Sequence, residues 1–355
     1  MPEPDPSLIS KTSSTQEVES AQSSTSDTPS QPVGPKKRFT KWLKVAVKLA
    51  IGGVVLWAVG RQIVMTWDRW QAKTADFSLN ITLLVTSGIF YIFGLMAFGI
   101  YYARVVQMVA PLISTFTCLK AYILSHPAKY VPGKGMVVVI RVALLTKAGA
   151  RPTAAIITAL YETLSMMAIG GLLGSALLFT PPSHPIGALL SLALGLAFLA
   201  TVLPFTFGRA VRILKKGLHS IEPGDLPTPT NRDIRALLLW GVLGWLLWGV
   251  SQVLVVAALA PHQSVALTNW PRIMGAMMLG TVGGFALPIL PGGIGLREWI
   301  IDELTGGLLG PDLAIASALG LRFVWVVAEL VAAAVVSVVP PPPEIGQEIQ
   351  ESPQV

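Results

Sequence analysis

Four uncharged stretches constrain this chain more than anything else in it. Residues 77–103, 163–208, 236–271 and 273–296 contain no Asp, Glu, Lys or Arg. Each is longer than the roughly 20 residues that an apolar helix needs to cross a bilayer. Only 13% of the 355 residues are charged while 52% are hydrophobic, whereas soluble domains carry about 25% charged residues. The apolar runs are continuous rather than alternating, which disfavours a membrane barrel. An all-α polytopic membrane protein is the expected fold class.

The net charge of +7 raises the question of nucleic acid, but no basic soluble domain exists to carry such a partner. The basic residues sit instead where a membrane protein keeps its cytoplasmic charge. Lys36-Lys-Arg-Phe-Thr-Lys-Trp-Leu-Lys44 precedes a first span at about residues 45–65, and the loop 208–235 carries six Lys or Arg against three acids. Further spans are expected at about residues 77–103, 152–179, 186–207, 236–259, 272–290 and 312–338. These seven place the N-terminus in the cytoplasm and the C-terminus outside the cell (inner) membrane. Only Arg61, Arg69, Lys73 and Arg272 then fall on the outer side.

Residues 1–38 read as a disordered cytoplasmic tail, 39–340 as the transmembrane domain and 341–355 as a second disordered tail, because both ends lack the apolar residues a core requires. The single Cys118 excludes an intrachain disulfide and a Cys-based zinc cluster. His126, His184, His219 and His262 share no ligand spacing. No metal and no cofactor are expected.

Two segments break the regular pattern. Lys120, Lys129, Lys134 and Arg141 make a full crossing between residues 118 and 141 improbable, since a central charge costs about 2.5–3.5 kcal/mol even on a mild insertion scale. The second break lies in Leu279-Gly-Thr-Val-Gly-Gly-Phe-Ala-Leu-Pro-Ile-Leu-Pro-Gly-Gly-Ile-Gly-Leu-Arg-Glu298. Proline removes a helical hydrogen bond and glycine releases the backbone, so no helix should cross Pro132-Gly133 or Pro291-Gly292-Gly293 unbroken. Broken helices at membrane depth are tolerated only when buried in protein or lining a wet cavity. Two re-entrant or interfacial segments are therefore expected.

The two breaks anchor an apparent internal repeat. Each is followed by a short charged helix, with Arg141 in the first and Arg297 and Glu298 in the second. Each then leads into a long span with a buried ionisable group. Glu162 lies 30 residues after Pro132, and Arg322 lies 31 after Pro291. Opposite charges at related positions suggest an ion pair between Glu162 and Arg322 across the interface of the halves. The competing reading is polar glue between helices, worth about 0.6 kcal/mol on average in membranes. Glu329 lies seven residues beyond Arg322 on the same helix face, and Glu298 and Asp302 are four apart on another.

Ala128-Lys-Tyr-Val-Pro-Gly133, Arg141, Glu162, Leu290-Pro-Gly-Gly-Ile-Gly-Leu-Arg-Glu298 and Arg322 together resemble the transmembrane region of lysylphosphatidylglycerol synthases, a bacterial flippase-like family. The resemblance extends over about residues 40–340. It implies a multi-pass bundle that moves phospholipid or polyprenyl-linked lipid between leaflets. The 355 residues contain no soluble aminoacyl-transferase domain, so synthase activity is not expected, and Thr163 follows Glu162 where family members often place Arg.

The functional expectation is a lipid-translocating protein and not an enzyme, because no nucleophile–base set, metal cluster or phosphate loop is present. Lys129, Lys134, Arg141 and Arg297 would hold the phosphate of an anionic phospholipid or polyprenyl-phosphate lipid at the cytoplasmic side, with Glu298 in the same headgroup site. Arg322 would form a deeper phosphate site, with Glu162 as its counter-charge. The alternative is a non-transporting accessory subunit of a membrane glycosyltransferase or lipid-modifying enzyme.

Overall fold

The computed structural model describes residues 79–340 apart from 131–134, 182, 216–221, 261–263, 287–292 and 294. The expected tails, the first span at 45–65, and Pro132, Gly133, Lys134, Pro291 and Gly292 lie outside the described residues. Among these residues there are eleven α-helices and no strand.

Five helices are long and apolar enough to cross a membrane: α1 (Ile81–Gln107), α4 (Pro152–Phe179), α5 (Pro185–Val202), α7 (Asn231–Leu259) and α11 (Pro311–Val338). They correspond to five of the expected spans. Their starts follow from local chemistry. The Asn80 side chain accepts the Leu83 N–H at the head of α1, and Thr230 and Asp233 cap α7 reciprocally. Proline opens α4, α5 and α11, where its missing N–H costs no hydrogen bond.

The remaining helices are shorter: α2 (Thr115–Ser125), α3 (Gly135–Lys147), α6 (Pro204–Lys215), α8 (Val265–Thr268), α9 (Trp270–Ala286) and α10 (Leu296–Leu309). A 3-10 turn, His126–Tyr130, continues α2. The 17 residues of α9 cover about 25 Å at 1.5 Å each, short of the roughly 30 Å hydrocarbon core. Its described part covers most of the span expected at 272–290, whose last four residues lie outside the described residues. Both irregular segments are helical hairpins, with α2 packed on α3 and α9 packed on α10.

The chain repeats an order here. Each hairpin is followed by a long helix against which its second arm packs, α3 on α4 and α10 on α11. A glycine with positive φ precedes each long helix, Gly149 at 95° and Gly310 at 81°. That backbone conformation is cheap for glycine alone.

Helices α1, α4, α7, α9 and α11 pack together as the core of the bundle. Its centre is aromatic. Tyr91 on α1 stacks on Trp248 of α7 and Trp325 of α11, with ring centroids 5.2 and 4.5 Å apart. Trp245 is fully buried and donates from Nε1 to the Met166 carbonyl at 2.9 Å. Room for its ring comes from Gly170, where an added Cβ would lie 2.3 Å from the indole. Helix α5 sits at the edge on α4 and leaves Ile186, Leu189, Leu190 and Leu196 at least half exposed. Such an apolar surface is unfavourable in water and suits contact with lipid chains.

Candidate functional site

The two hairpins and the helices that follow them, with α5, α6 and α7, line a partly open cavity of about 760 Å³. Three of its four charged groups come from the hairpins. Lys129 stands on the 3-10 turn after α2, Arg141 on α3, Glu162 on α4 and Arg297 on α10, and all four line the cavity.

Arg141 is the most enclosed. Its Nη1 lies 2.6 Å from Glu162 Oε2, with both side chains almost fully buried, and its Nε donates to Ser125 Oγ at 3.0 Å. The guanidinium is held between the rings of Tyr102 and Tyr122, 4.5 Å from each centroid. Thr163 Oγ1 lies 3.1 Å from the same carboxylate oxygen. Buried charges survive when paired and hydrogen-bonded, and this pair satisfies both conditions.

A second pair joins the two parts of the chain. Lys129 Nζ lies 2.6 Å from Glu329 Oε1 on α11, and the Tyr91 hydroxyl donates to the same oxygen. Glu329 is fully buried, whereas the lysine side chain is 28% exposed.

The third pair lies within the second hairpin and its following helix. Arg322 Nη1 is 2.6 Å from Glu298 Oε1, and the Gly295 N–H donates to Oε2 at 2.7 Å. Glu298 therefore caps α10, where a carboxylate also meets the positive end of the helix dipole, and neutralises Arg322.

Arg297 stands apart. Its guanidinium lies 4.3 Å from the Trp325 ring centroid, and the residue is only 9% exposed. Its buried Nη2 has no hydrogen-bond partner, and no ion pair to Arg297 occurs among the described residues. The arm reaches the cavity because α9 is small on the facing side. A Cβ on Gly280 would meet the Arg297 carbonyl at 3.1 Å, and one on Gly284 would meet the Gly293 Cα at 3.1 Å. Gly293 takes a φ of 68° and Gly295 one of 87°, so glycine fits the turn into α10.

The other walls are apolar. Ile156, Leu160 and Leu164 form a stripe along α4, and Phe207 and Val211 face the cavity from α6. Leu160 is 40% exposed, so this wall continues to the outer surface of the bundle.

The expected pair between Glu162 and Arg322 does not form. Each residue is neutralised within its own part of the chain, Glu162 by Arg141 and Arg322 by Glu298. The physical reason is reach: the second arm of each hairpin packs directly on the helix that follows it, which leaves the nearest opposite charge local. Arg322 accordingly has Glu298 rather than Glu162 as its counter-charge. Lys129, Arg141, Glu162 and Arg297 do meet around one cavity, with the Glu298–Arg322 pair adjoining through Arg297. Lys134 falls outside the described residues.

Sequence reasoning left Tyr91, Glu329, Trp325 and the Tyr102–Tyr122 clamp off the site. For Glu329 a signal existed, since an ionisable residue within a span faces a partner or water by default. The aromatic residues carry no such mark in an apolar sequence. Comparison of the chain with protein-family models and with curated proteins found no match.

Proposed function

We propose that this protein binds the phosphate headgroup of a membrane amphiphile in the cavity and carries it between leaflets while the chains stay in lipid. One observation supports the reading above the rest. A single cavity joins a buried guanidinium without an ion-pair partner among the described residues to an apolar wall that reaches the bundle surface.

Arg297 is the first contact for the phosphate, and Lys129 the second because its side chain remains partly exposed. A buried charge with no ion pair among the described residues is unfavourable by several kcal/mol, and stacking on Trp325 offsets about 2 kcal/mol of that. An arriving phosphate supplies the missing charge and two acceptor oxygens, matching the planar fork of arginine. Arg141 and Arg322 act as positioning residues that hold α3 against α4 and α10 against α11. No covalent step is involved.

The finer topology belongs to the same reading: seven spans, two re-entrant hairpins related as an internal repeat, a cytoplasmic N-terminus and an outer C-terminus. The motif resemblance to lysylphosphatidylglycerol synthase transmembrane regions points the same way. Anionic phospholipid and polyprenyl-phosphate lipid are the ligand classes.

Liposomes containing the purified full chain and a fluorescent anionic phospholipid test the proposal. Protein should accelerate exchange of lipid between leaflets, and Arg297→Gln should slow it at least about tenfold, the loss expected when a charge-assisted contact worth about 1.4 kcal/mol or more is removed. Exchange equal to that of empty vesicles contradicts translocation. Lipid binding without exchange, together with one stoichiometric glycosyltransferase or lipid-modifying enzyme in pull-downs, favours an accessory subunit instead.

A further inference from the structure

The charges around the cavity can be counted. Lys129 is matched by Glu329, Arg141 by Glu162 and Arg322 by Glu298, one to one. Of the described cations that line the cavity, Arg297 is the one with no ion pair. We infer that the headgroup site selects its ligand by charge, accepting a phosphodiester, which carries one negative charge, and rejecting phosphomonoesters and pyrophosphates, which carry about two or more.

This inference rests on the headgroup reading above and narrows it: of the polyprenyl-phosphate lipids it keeps only those whose phosphate is esterified a second time, and it removes the bare monophosphates. Three features of the site make charge number decisive. The first is burial: Arg297, Glu162, Arg141 and Glu329 are each at least nine-tenths enclosed, so an unbalanced charge is poorly screened by solvent. The second is that the paired cations are not idle. Arg141 is fixed by a carboxylate, a serine hydroxyl and two rings, and Arg322 by a carboxylate that also caps a helix. Neither can turn to a second phosphate charge without stranding a carboxylate, buried in Glu162 and part-buried in Glu298. The third is the position of Lys129. It lies 5.9 Å from the Trp325 ring that also carries Arg297, so its charge is close to the open guanidinium. Its bond to Glu329 keeps it neutralised.

A phosphomonoester has a second pKa near 6 and carries about −1.5 to −2 at neutral pH. It would bring a charge that Arg297 alone cannot balance. A diester oxygen pair meets one guanidinium with the charges equal.

The consequence for Glu329 is specific. Replacing it by glutamine keeps an acceptor for the Tyr91 hydroxyl and removes the charge that occupies Lys129. The site then has two surplus cations and should accept a dianion. The selectivity of this cavity therefore resides in a residue that need not touch the ligand.

The test is competition measured by native mass spectrometry on the full chain in detergent at pH 7.5. The probes are phosphatidylglycerol as a diester, phosphatidic acid as a monoester of the same chains, and a polyprenyl pyrophosphate. Phosphatidylglycerol should be preferred over both others by at least about tenfold. Glu329→Gln should reduce or reverse that preference, while Glu329→Ala serves as a check that any change follows charge rather than the glutamine amide. Equal binding of diester and monoester by the wild-type chain overturns the charge selection but leaves headgroup binding standing. Preference for the diester that is unchanged in both Glu329 variants overturns the assignment of selectivity to this pair. Failure of every lipid to bind contradicts the headgroup reading itself, and the selection with it.

Discussion

The two helical hairpins share a plan and differ in how far each neutralises itself. In the first, α3 presents Arg141 to Glu162 on α4; in the second, α10 presents Glu298 to Arg322 on α11. The direction of charge is reversed, yet the pairing is equally local. What separates them is Arg297, one residue before Glu298, which adds a cation to the second hairpin that its own partners do not balance. The first hairpin is closed by hydroxyls and aromatic faces around a satisfied pair. The second leaves a guanidinium on an indole face beside the cavity. Under the proposed function, two similar scaffolds divide the work: one fixes the wall and the other offers the binding group.

The comparison can be broken most forcefully in the first hairpin. Arg141→Ala strands the Glu162 carboxylate in a fully enclosed site and should cost about 3–5 kcal/mol, seen as loss of folded protein in thermal unfolding in detergent. Arg141→Met combined with Glu162→Leu should recover most of that stability, because a buried pair replaced by apolar groups is often nearly neutral. A double variant as unstable as the single would contradict the account of this pair.

Arg322→Ala should have a smaller effect, about 1–3 kcal/mol. Glu298 is less enclosed and keeps the Gly295 N–H as a donor, so its carboxylate is not left without any partner. If the same unfolding measurement places Arg322→Ala above Arg141→Ala, the order of closure between the hairpins is wrong. The least change is expected for Thr163→Val, which removes one hydroxyl contact to Glu162 and should cost about 1 kcal/mol. Indifference to this substitution would mean that the hydroxyl is satisfied entirely by the Ala159 carbonyl, 2.8 Å away.

Much of this architecture is readable in the linear chain, for physical reasons that also explain the gaps. Long uncharged runs can be solvated only by lipid or protein, so α1, α4, α5, α7 and α11 announce themselves. The charges in otherwise apolar segments are expensive, which singles out Arg141, Glu162, Arg297, Glu298 and Arg322 as residues that must meet something. Partner choice is harder. Glu162 and Arg322 occupy equivalent offsets after the two Pro-Gly breaks, which favoured a pair between halves. A better guide was the near-equal separation of opposite charges, 21 residues from Arg141 to Glu162 and 24 from Glu298 to Arg322. That spacing carries each short arm back along the next helix. The link from Lys129 to Glu329 spans 200 residues, and no local pattern encodes it.

The central claim is that Arg297 is an open cation awaiting a lipid phosphate. The most direct measurement is a mass spectrum of the lipids that co-purify with wild-type protein, Arg297→Gln and Thr163→Val, prepared identically from the same cells. The account predicts a phosphate-bearing amphiphile retained with wild-type protein and Thr163→Val and strongly depleted in Arg297→Gln, with all three proteins folded. The same lipid bound equally by all three, or none bound by any, would contradict it.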